Sequence, residues 1–402
     1  MPTVSNPPAL ALSGRIPELD GIRGIAIAMV LLFHYFFQPI DAPAGSFFSS
    51  LQGAARLSWS GVDLFFVLSG FLIGGILLDA RDSSNYFRVF YVRRFFRIVP
   101  IYFVFLFLAL GLWALGNFEI TSDFLRMFRH RLPWLPHFLF LQNFWMALTS
   151  SFGASGLTVT WSLAVEEQFY LSLPALIRFL TPRALSIALA AGIVLAPLSR
   201  ILLHAFAPSH NLSWYTLMPC RADALLLGVF GAILLRNAAW NQRLRQNRRI
   251  FLFLLFPLAL GLVAMTPYAP DPYGFAMLSF GYSWLALFYL CLILCALLYR
   301  ESWFASFLRW SWLTWLGSIA YGVYLFHELF RYALHGLFYS GAPPSWSPRD
   351  FLISLFSLVL LLFFCRLSWL YFEKPLVKLG HRLSYQFRET VPPASPSGVS
   401  QP

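Results

Sequence analysis

Long apolar runs separated by short polar ones organise this chain. They lie near Ile22–Ile40, Trp59–Leu78, Ile98–Leu115, Thr160–Leu180, Ala184–Phe206, Met218–Leu235, Ile250–Met265, Phe275–Tyr299, Trp312–Phe338 and Phe351–Tyr371. Most approach the 20 or so residues that a helix needs to cross a bilayer. The pattern predicts an all-α polytopic membrane bundle of about ten transmembrane helices. A shorter stretch, Leu135–Leu148, is interrupted by Gln142 and Asn143 and reads as a re-entrant or interfacial helix. No internal repeat is evident. Residues 1–17 read as a flexible N-terminal segment, 18–385 as one transmembrane domain and 386–402 as a disordered tail containing VPPASPSGVSQP. The first 20 residues lack the basic start and cleavage site of a secretory peptide, so the first apolar run reads as a retained helix.

The placement of basic residues orients the bundle. Arg81, Arg88, Arg93, Arg94 and Arg97 follow the second run; Arg178 and Arg183 flank the end of the fourth. Arg236, Arg243, Arg245, Arg248 and Arg249 follow the sixth, Arg300 and Arg309 the eighth, and Lys374, Lys378, Arg382 and Arg388 the tenth. With ten crossings all of these share a face with the N-terminus, which the positive-inside rule makes cytoplasmic. The expectation is therefore a multi-pass protein of the inner (cytoplasmic) membrane with both termini cytoplasmic. Arg126, Arg129 and Arg131 are exceptions, and a full crossing by Leu135–Leu148 would invert every later assignment.

Composition supports the same class. Only 11% of the 402 residues are charged, against about a quarter in soluble domains. The net charge of +12 raises the question of nucleic acid, but the basic residues sit in loops between apolar spans, so no nucleic-acid partner is expected. Cys220, Cys291, Cys295 and Cys365 lie in or at the ends of apolar segments without a CxxC pair, and no metal site is expected.

Chemistry-bearing residues stand out against this background. Arg23 and His34 lie in one apolar run, eleven steps apart. Eleven steps of about 100° bring both to one helix face, roughly 16 Å apart along it. One marks a membrane surface and the other reaches inward, where an ionisable group is costly and usually functional. The segment NYFRVFYVRRFFRIVPIYF reads either as a snorkelling interfacial helix or as an anion-binding mouth, and charge alone favours the first. WSLAVEEQFY carries Glu166 and Glu167, which point about 100° apart. Glu166 and His34 share a depth of roughly 9 Å from the outer ends of their spans. His327, beside Glu328, is as readily an interhelical hydrogen-bonding residue as a catalytic one. In GVDLFFVLSGFLIGG, Asp63 sits near the outer end, Gly70 and Gly74 have packing spacing, and nothing in sequence activates Ser69. Arg221 and Asp223 either pair structurally or line an acceptor entrance.

Taken together and in order, ELDGIRGIAIAMVLLFHY, GVDLFFVLSGFLI, YVRRFFRIVPIYF, WSLAVEEQFY, RADALLLG and IAYGVYLFHE closely resemble the acyltransferase 3 family of bacterial membrane acyltransferases. The resemblance runs from about Glu18 to Glu373 and implies ten or so transmembrane helices. Some members add a C-terminal secreted hydrolase-like domain; this chain reads as a stand-alone form. It would transfer the acyl group directly or through a separate periplasmic or extracellular partner.

The resemblance implies O-acylation of a carbohydrate, on an envelope polysaccharide or lipid-linked glycan, with acyl-CoA, by default acetyl-CoA, as donor. His34 matches the family's catalytic histidine, Arg23 its paired basic residue, and Arg94 and Arg97 its Arg-x-x-Arg motif. Glu166 matches the carboxylate of the Trp-Ser-Leu-x-x-Glu motif. On this reading His34 is a general base, and Glu166 either orients the imidazole or contacts the acceptor. Arg23 holds the donor, and Arg93, Arg94 and Arg97 bind its phosphates. Asp63, Arg221, Asp223 and His327 are candidate acceptor contacts. No Ser or Cys is placed as a nucleophile, which favours direct transfer without metal. The alternatives are acylation of a small glycosylated metabolite such as a macrolide sugar, or a proton-coupled transporter.

Overall fold

Where the sequence is apolar for about 20 residues the chain is helical, because a backbone in lipid must satisfy its own hydrogen bonds. The computed structural model describes residues 14–37, 57–117, 133–267, 272–338 and 348–387, with no strand among them. Part of the expected N-terminal segment (residues 1–13), residues 38–40 of the first run, Arg126, Arg129, Arg131 and residues 388–402 lie outside the described residues.

The helices are α1 (Pro17–Leu32), α2 (Gly61–Asp79), α3 (Tyr86–Asn117), α4 (Trp134–Phe138), α5 (Gln142–Thr149), α6 (Thr160–Phe179), α7 (Pro182–Phe206), α8 (Ser213–Thr216) and α9 (Met218–Arg236). They continue with α10 (Ala238–Gln246), α11 (Arg249–Met265), α12 (Tyr282–Leu298), α13 (Trp303–Leu308), α14 (Ser311–Phe338), α15 (Pro348–Ser368) and α16 (Lys374–Gly380). Phe33–Phe37, Met277–Gly281 and Trp369–Glu373 are π-helical turns.

Every expected span has a helix at its place. Seven are long and apolar enough to cross a membrane, and an eighth arises if α10 and α11, bent by 75°, count as one. α6 and α14 are not among them: the polar residues of WSLAVEEQFY, and His327, Glu328 and Arg331, dilute their apolar character. The protein is thus a polytopic helical membrane bundle, with seven or eight such crossings among the described residues.

Two expectations change. The aromatic-basic segment is no separate interfacial piece: it forms the first half of α3, one helix of 32 residues that includes Pro100, with its arginines in about the first third. At roughly 48 Å, α3 is longer than the hydrocarbon core, so the basic third extends past the apolar layer. Secondly, residues 384–386 pair with the start of α3. Ser84 N donates to Gln386 O over 2.9 Å, Asn85 Nδ2 to Ser384 O over 2.9 Å, and Gln386 N to Asn85 Oδ1 over 3.0 Å.

Leu135–Leu148 resolves into α4 and α5, of 5 and 8 residues, joined through Phe140 at positive φ. Neither is long enough to cross a bilayer. The polar pair that interrupts the run ties it inward: Gln142 Nε2 donates to Thr160 O at 2.8 Å, and Asn143 meets Gln168 and Thr216 O.

Glycine sets the two tightest crossings. A Cβ at Gly70 on α2 would collide with the Leu225 carbonyl, and one at Gly228 on α9 with the Val67 carbonyl. The α1–α14 crossing repeats the device, with Gly24 against Leu313 and Gly317 against Asp20, and Gly21 sits equally close to Leu308 at the end of α13. Close backbone approach of this kind is how membrane helices gain packing without a hydrophobic driving force. Gly228→Val is therefore expected to lower stability by about 1–3 kcal/mol or more, read as a lower melting temperature in detergent.

At one end of the bundle the basic residues meet. Arg236 holds both carboxylate oxygens of Asp79 at 2.7 Å, Arg81 donates to Leu180 O at 2.6 Å, and Arg178 donates to the Arg81 carbonyl.

Candidate active site

The mixed periodicity of the WSLAVEEQF stretch positions most of the site, because successive α6 residues reach different neighbours. Trp161 lies 5.7 Å under the Arg221 guanidinium, Ser162 Oγ is 2.6 Å from the Tyr324 hydroxyl, and Gln168 binds Asn143. Glu166 accepts a 2.6 Å hydrogen bond from Ser69 on α2, and Tyr170 O–H stands 3.1 Å from the same Ser69 oxygen. The partner of Glu166 is therefore a serine, and not an imidazole.

Glu166, Ser69 and Tyr170 line a cavity of about 330 Å³ between α1, α2, α3, α6 and α14. Arg23 from α1 and Arg94 and Arg97 from α3 line it as well, together with Phe65 and Tyr324. Arg23 is held by Asp20 at 2.9 Å, whereas neither Arg94 nor Arg97 forms an ion pair among the described residues. Two guanidinium groups in no direct ion pair among the described residues, and a third beside them, suit an anionic ligand with several oxygens. His381, just past α16, also lines the cavity. Burial first, then the positive charge of Arg93, Arg94 and Arg97, holds its imidazole below the usual value, which favours a neutral ring.

Arg93 is not brought to this cavity. Its Nε and Nη2 donate to Leu383 O at 3.1 and 2.7 Å, and its guanidinium lies 5.1 Å from the Tyr385 ring, so it anchors the segment after α16.

His34 lies outside the cavity that holds Arg23. The α-helix gives way to a π turn from Phe33, a deformation frequent at functional sites. His34 Nδ1 sits 3.0 Å from Val30 O and 3.3 Å from His327 Nε2, and its Nε2 is 3.9 Å from Glu328 Oε1. Tyr324 links the two places: it lines the cavity, and its ring centroid is 5.7 Å from that of His327.

The remaining candidates form buried ion pairs. Arg221 and Asp223, two residues apart on α9, point in different directions and do not pair with each other. Arg221 Nη2 meets Asp63 Oδ1 at 2.6 Å, and its guanidinium lies 3.9 Å from the Tyr282 centroid. Asp223 takes Arg200 at 3.0 Å and the Ser283 hydroxyl at 2.6 Å. None of these four lines the cavity.

Sequence reasoning passed over Arg200, although a lone arginine inside an apolar run is itself a signal. It also gave no role to Glu328, to Arg331 three residues on, or to Tyr324; His381 carries no local signal.

The family model described as an acyltransferase domain matches residues 16–368. Among curated proteins, a putative peptidoglycan O-acetyltransferase, YrhL of Bacillus subtilis, is 27% identical over 91% of this chain and 56% of its own length. The peptidoglycan O-acetyltransferase OatA of Listeria monocytogenes is 32% identical over 40% of this chain and 24% of its own. A putative O-acetyltransferase of Staphylococcus aureus, SACOL0978, is 25% identical over 91% and 58%. The chain thus spans at most a little over half the length of these relatives. No solved structure matches it.

Proposed function

The chain belongs to the acyltransferase 3 family, and on that premise we propose that it is a membrane O-acyltransferase. It moves an acyl group, acetyl by the names of its relatives, from acyl-CoA to a hydroxyl of a cell-envelope glycan. The observation that carries this reading is the convergence of Arg23, Arg94 and Arg97 on one cavity, one aromatic residue away from the His34–His327 pair. The gathering of Arg81, Arg178 and Arg236 at one end supports a cytoplasmic position for that end.

The donor fits the residues present. Arg94 and Arg97, in no ion pair among the described residues, take phosphate oxygens, Arg23 supports them, and the cavity has room for a slender arm more than for a whole nucleotide. His34 takes the proton of the acceptor hydroxyl as it attacks the thioester carbonyl; the carbon–sulfur bond breaks, and the thiol leaves. Glu166 keeps Ser69 in place beside the arm.

The test is thiol release from acetyl-CoA by purified protein in liposomes supplied with a peptidoglycan acceptor pool. Turnover supports the reading, and a folded preparation that neither binds nor consumes the donor overturns it. Arg94→Ala combined with Arg97→Ala should weaken donor binding about 10- to 100-fold, as expected for lost charge-assisted hydrogen bonds. Calorimetric titration at two salt concentrations checks this, the wild-type affinity falling as salt rises.

Direct transfer makes a second prediction. After incubation with radiolabelled acetyl-CoA and denaturation, no label stays on the protein. Label that is retained by wild type and lost in Ser69→Ala would instead establish an acyl-enzyme on Ser69, with Glu166 accepting its proton.

A further inference from the structure

His327, Glu328, Arg331 and Tyr35 stand around His34 or hold its neighbours, and they have no part in the scheme above. His327 is fully buried, and its Nδ1 lies 2.6 Å from the Tyr324 carbonyl oxygen. A carbonyl only accepts, so in neutral His327 the proton sits on Nδ1 and Nε2 is bare. That bare nitrogen faces His34 Nδ1 at 3.3 Å. The Val30 carbonyl faces the same His34 nitrogen at 3.0 Å. Two acceptors therefore converge on Nδ1 of His34, fix its proton there, and leave the lone pair on Nε2.

From this geometry we infer that His327 is a positioning residue that, together with the Val30 carbonyl, sets the tautomer of His34, with Glu328 placed to receive the charge that His34 acquires. The inference rests on the role proposed for His34 and deepens it.

Glu328 Oε1 lies 3.9 Å from His34 Nε2, the nitrogen that gains a proton when a hydroxyl is deprotonated. That oxygen is buried and has no hydrogen-bond partner among the described residues, a costly condition in a membrane interior. Its sister oxygen is held by Arg331 Nη2 at 2.9 Å, which keeps the group ionised and fixed. A carboxylate left one oxygen short beside a proton-accepting nitrogen favours the imidazolium without moving. The proton thus passes from hydroxyl to His34 Nε2 and no further, and it returns to the leaving thiolate.

The pair is tied in place from its own turn: Tyr35 O–H donates to the His327 carbonyl at 2.9 Å, and α1, which leads into the turn carrying His34, packs backbone to backbone on α14 at Gly24 and Gly317.

His34, His327 and Glu328 also fall within metal-ligand reach, their donor atoms lying within 4.8 Å of one another. Arg331 beside Glu328 opposes a divalent cation there, and the tautomer reading accounts for every hydrogen bond without one.

The experiment uses the full chain in nanodiscs with ¹⁵N-labelled histidine. The His34 signal, identified by its loss in His34→Gln, is expected to show a protonated Nδ1 and a bare Nε2. In His327→Phe, which leaves the Val30 carbonyl as the remaining acceptor, the Nε2-protonated tautomer should gain population and kcat should fall about two- to fivefold, with KM for acetyl-CoA unchanged. His327→Gln, whose side-chain oxygen still accepts from Nδ1, should restore the wild-type kcat. A wild-type His34 protonated on Nε2, full kcat in a folded His327→Phe, or loss of activity on chelation would each overturn the inference. If instead wild type shows no thiol release, the transferase reading fails, while the nitrogen spectrum still decides the tautomer.

Discussion

His34→Ala lowers acetyl-CoA turnover by about 10²- to 10⁴-fold, the range of a lost general base, and leaves donor affinity unchanged. The two effects separate because the groups are separate: Arg23, Arg94 and Arg97 line the cavity and His34 does not. The substitution is tolerated structurally, since the His34 side chain is 19% exposed and not locked in the core. Steady-state thiol release and donor titration on one preparation measure both. A variant that loses donor binding in step with turnover would make His34 a packing or binding residue, and the assignment of the base would fall with it.

Asp63→Ala lowers the stability of the folded protein by about 3–5 kcal/mol, the usual result of stranding one member of a buried ion pair. Asp63 and Arg221 are each about 1% exposed and meet at 2.6 Å across the α2–α9 crossing. Removal of the carboxylate leaves a guanidinium without a contacting acid, among the aromatic faces of Phe66, Trp161, Tyr215 and Tyr282. Those rings return part of the loss. Removal of both charges, as Asp63→Ala with Arg221→Met, should recover much of the stability, because a buried pair is worth little against a matched apolar one. Thermal unfolding in a single detergent compares the three proteins. Equal melting temperatures for wild type and Asp63→Ala would show that water reaches the pair.

The helices were legible because a bilayer imposes one length on an apolar run, and each expected span has its helix. The number of crossings was less so: α6 and α14 carry site residues, and those same polar groups depress the hydropathy by which spans are counted. Within the site, Arg94 and Arg97 could be grouped from helical spacing, and the matched motifs tied them to Arg23. Which acid meets which base could not be read, because Asp63 with Arg221 and Asp223 with Arg200 join residues from different helices or distant turns. Glu328 and Arg331 are the contrary case: their three-residue spacing on one helix was in plain view and predicts the observed pair. The π turn that carries His34 is a further case, because no periodicity in FHYFF announces it.

The glycine contacts bear on how anything can cross this protein. Alternating-access carriers rock one bundle against another about a central site. Here α1 with α14 and α2 with α9 touch backbone to backbone; these helices carry Arg23, His327 and Ser69, and the π turn that continues α1 carries His34. Rocking would have to peel apart contacts made by main-chain atoms, which have no side-chain rotamers to absorb the motion. A scaffold riveted at these points suits chemistry carried out between side chains that hold their places, and not chemistry that waits on the movement of whole helices.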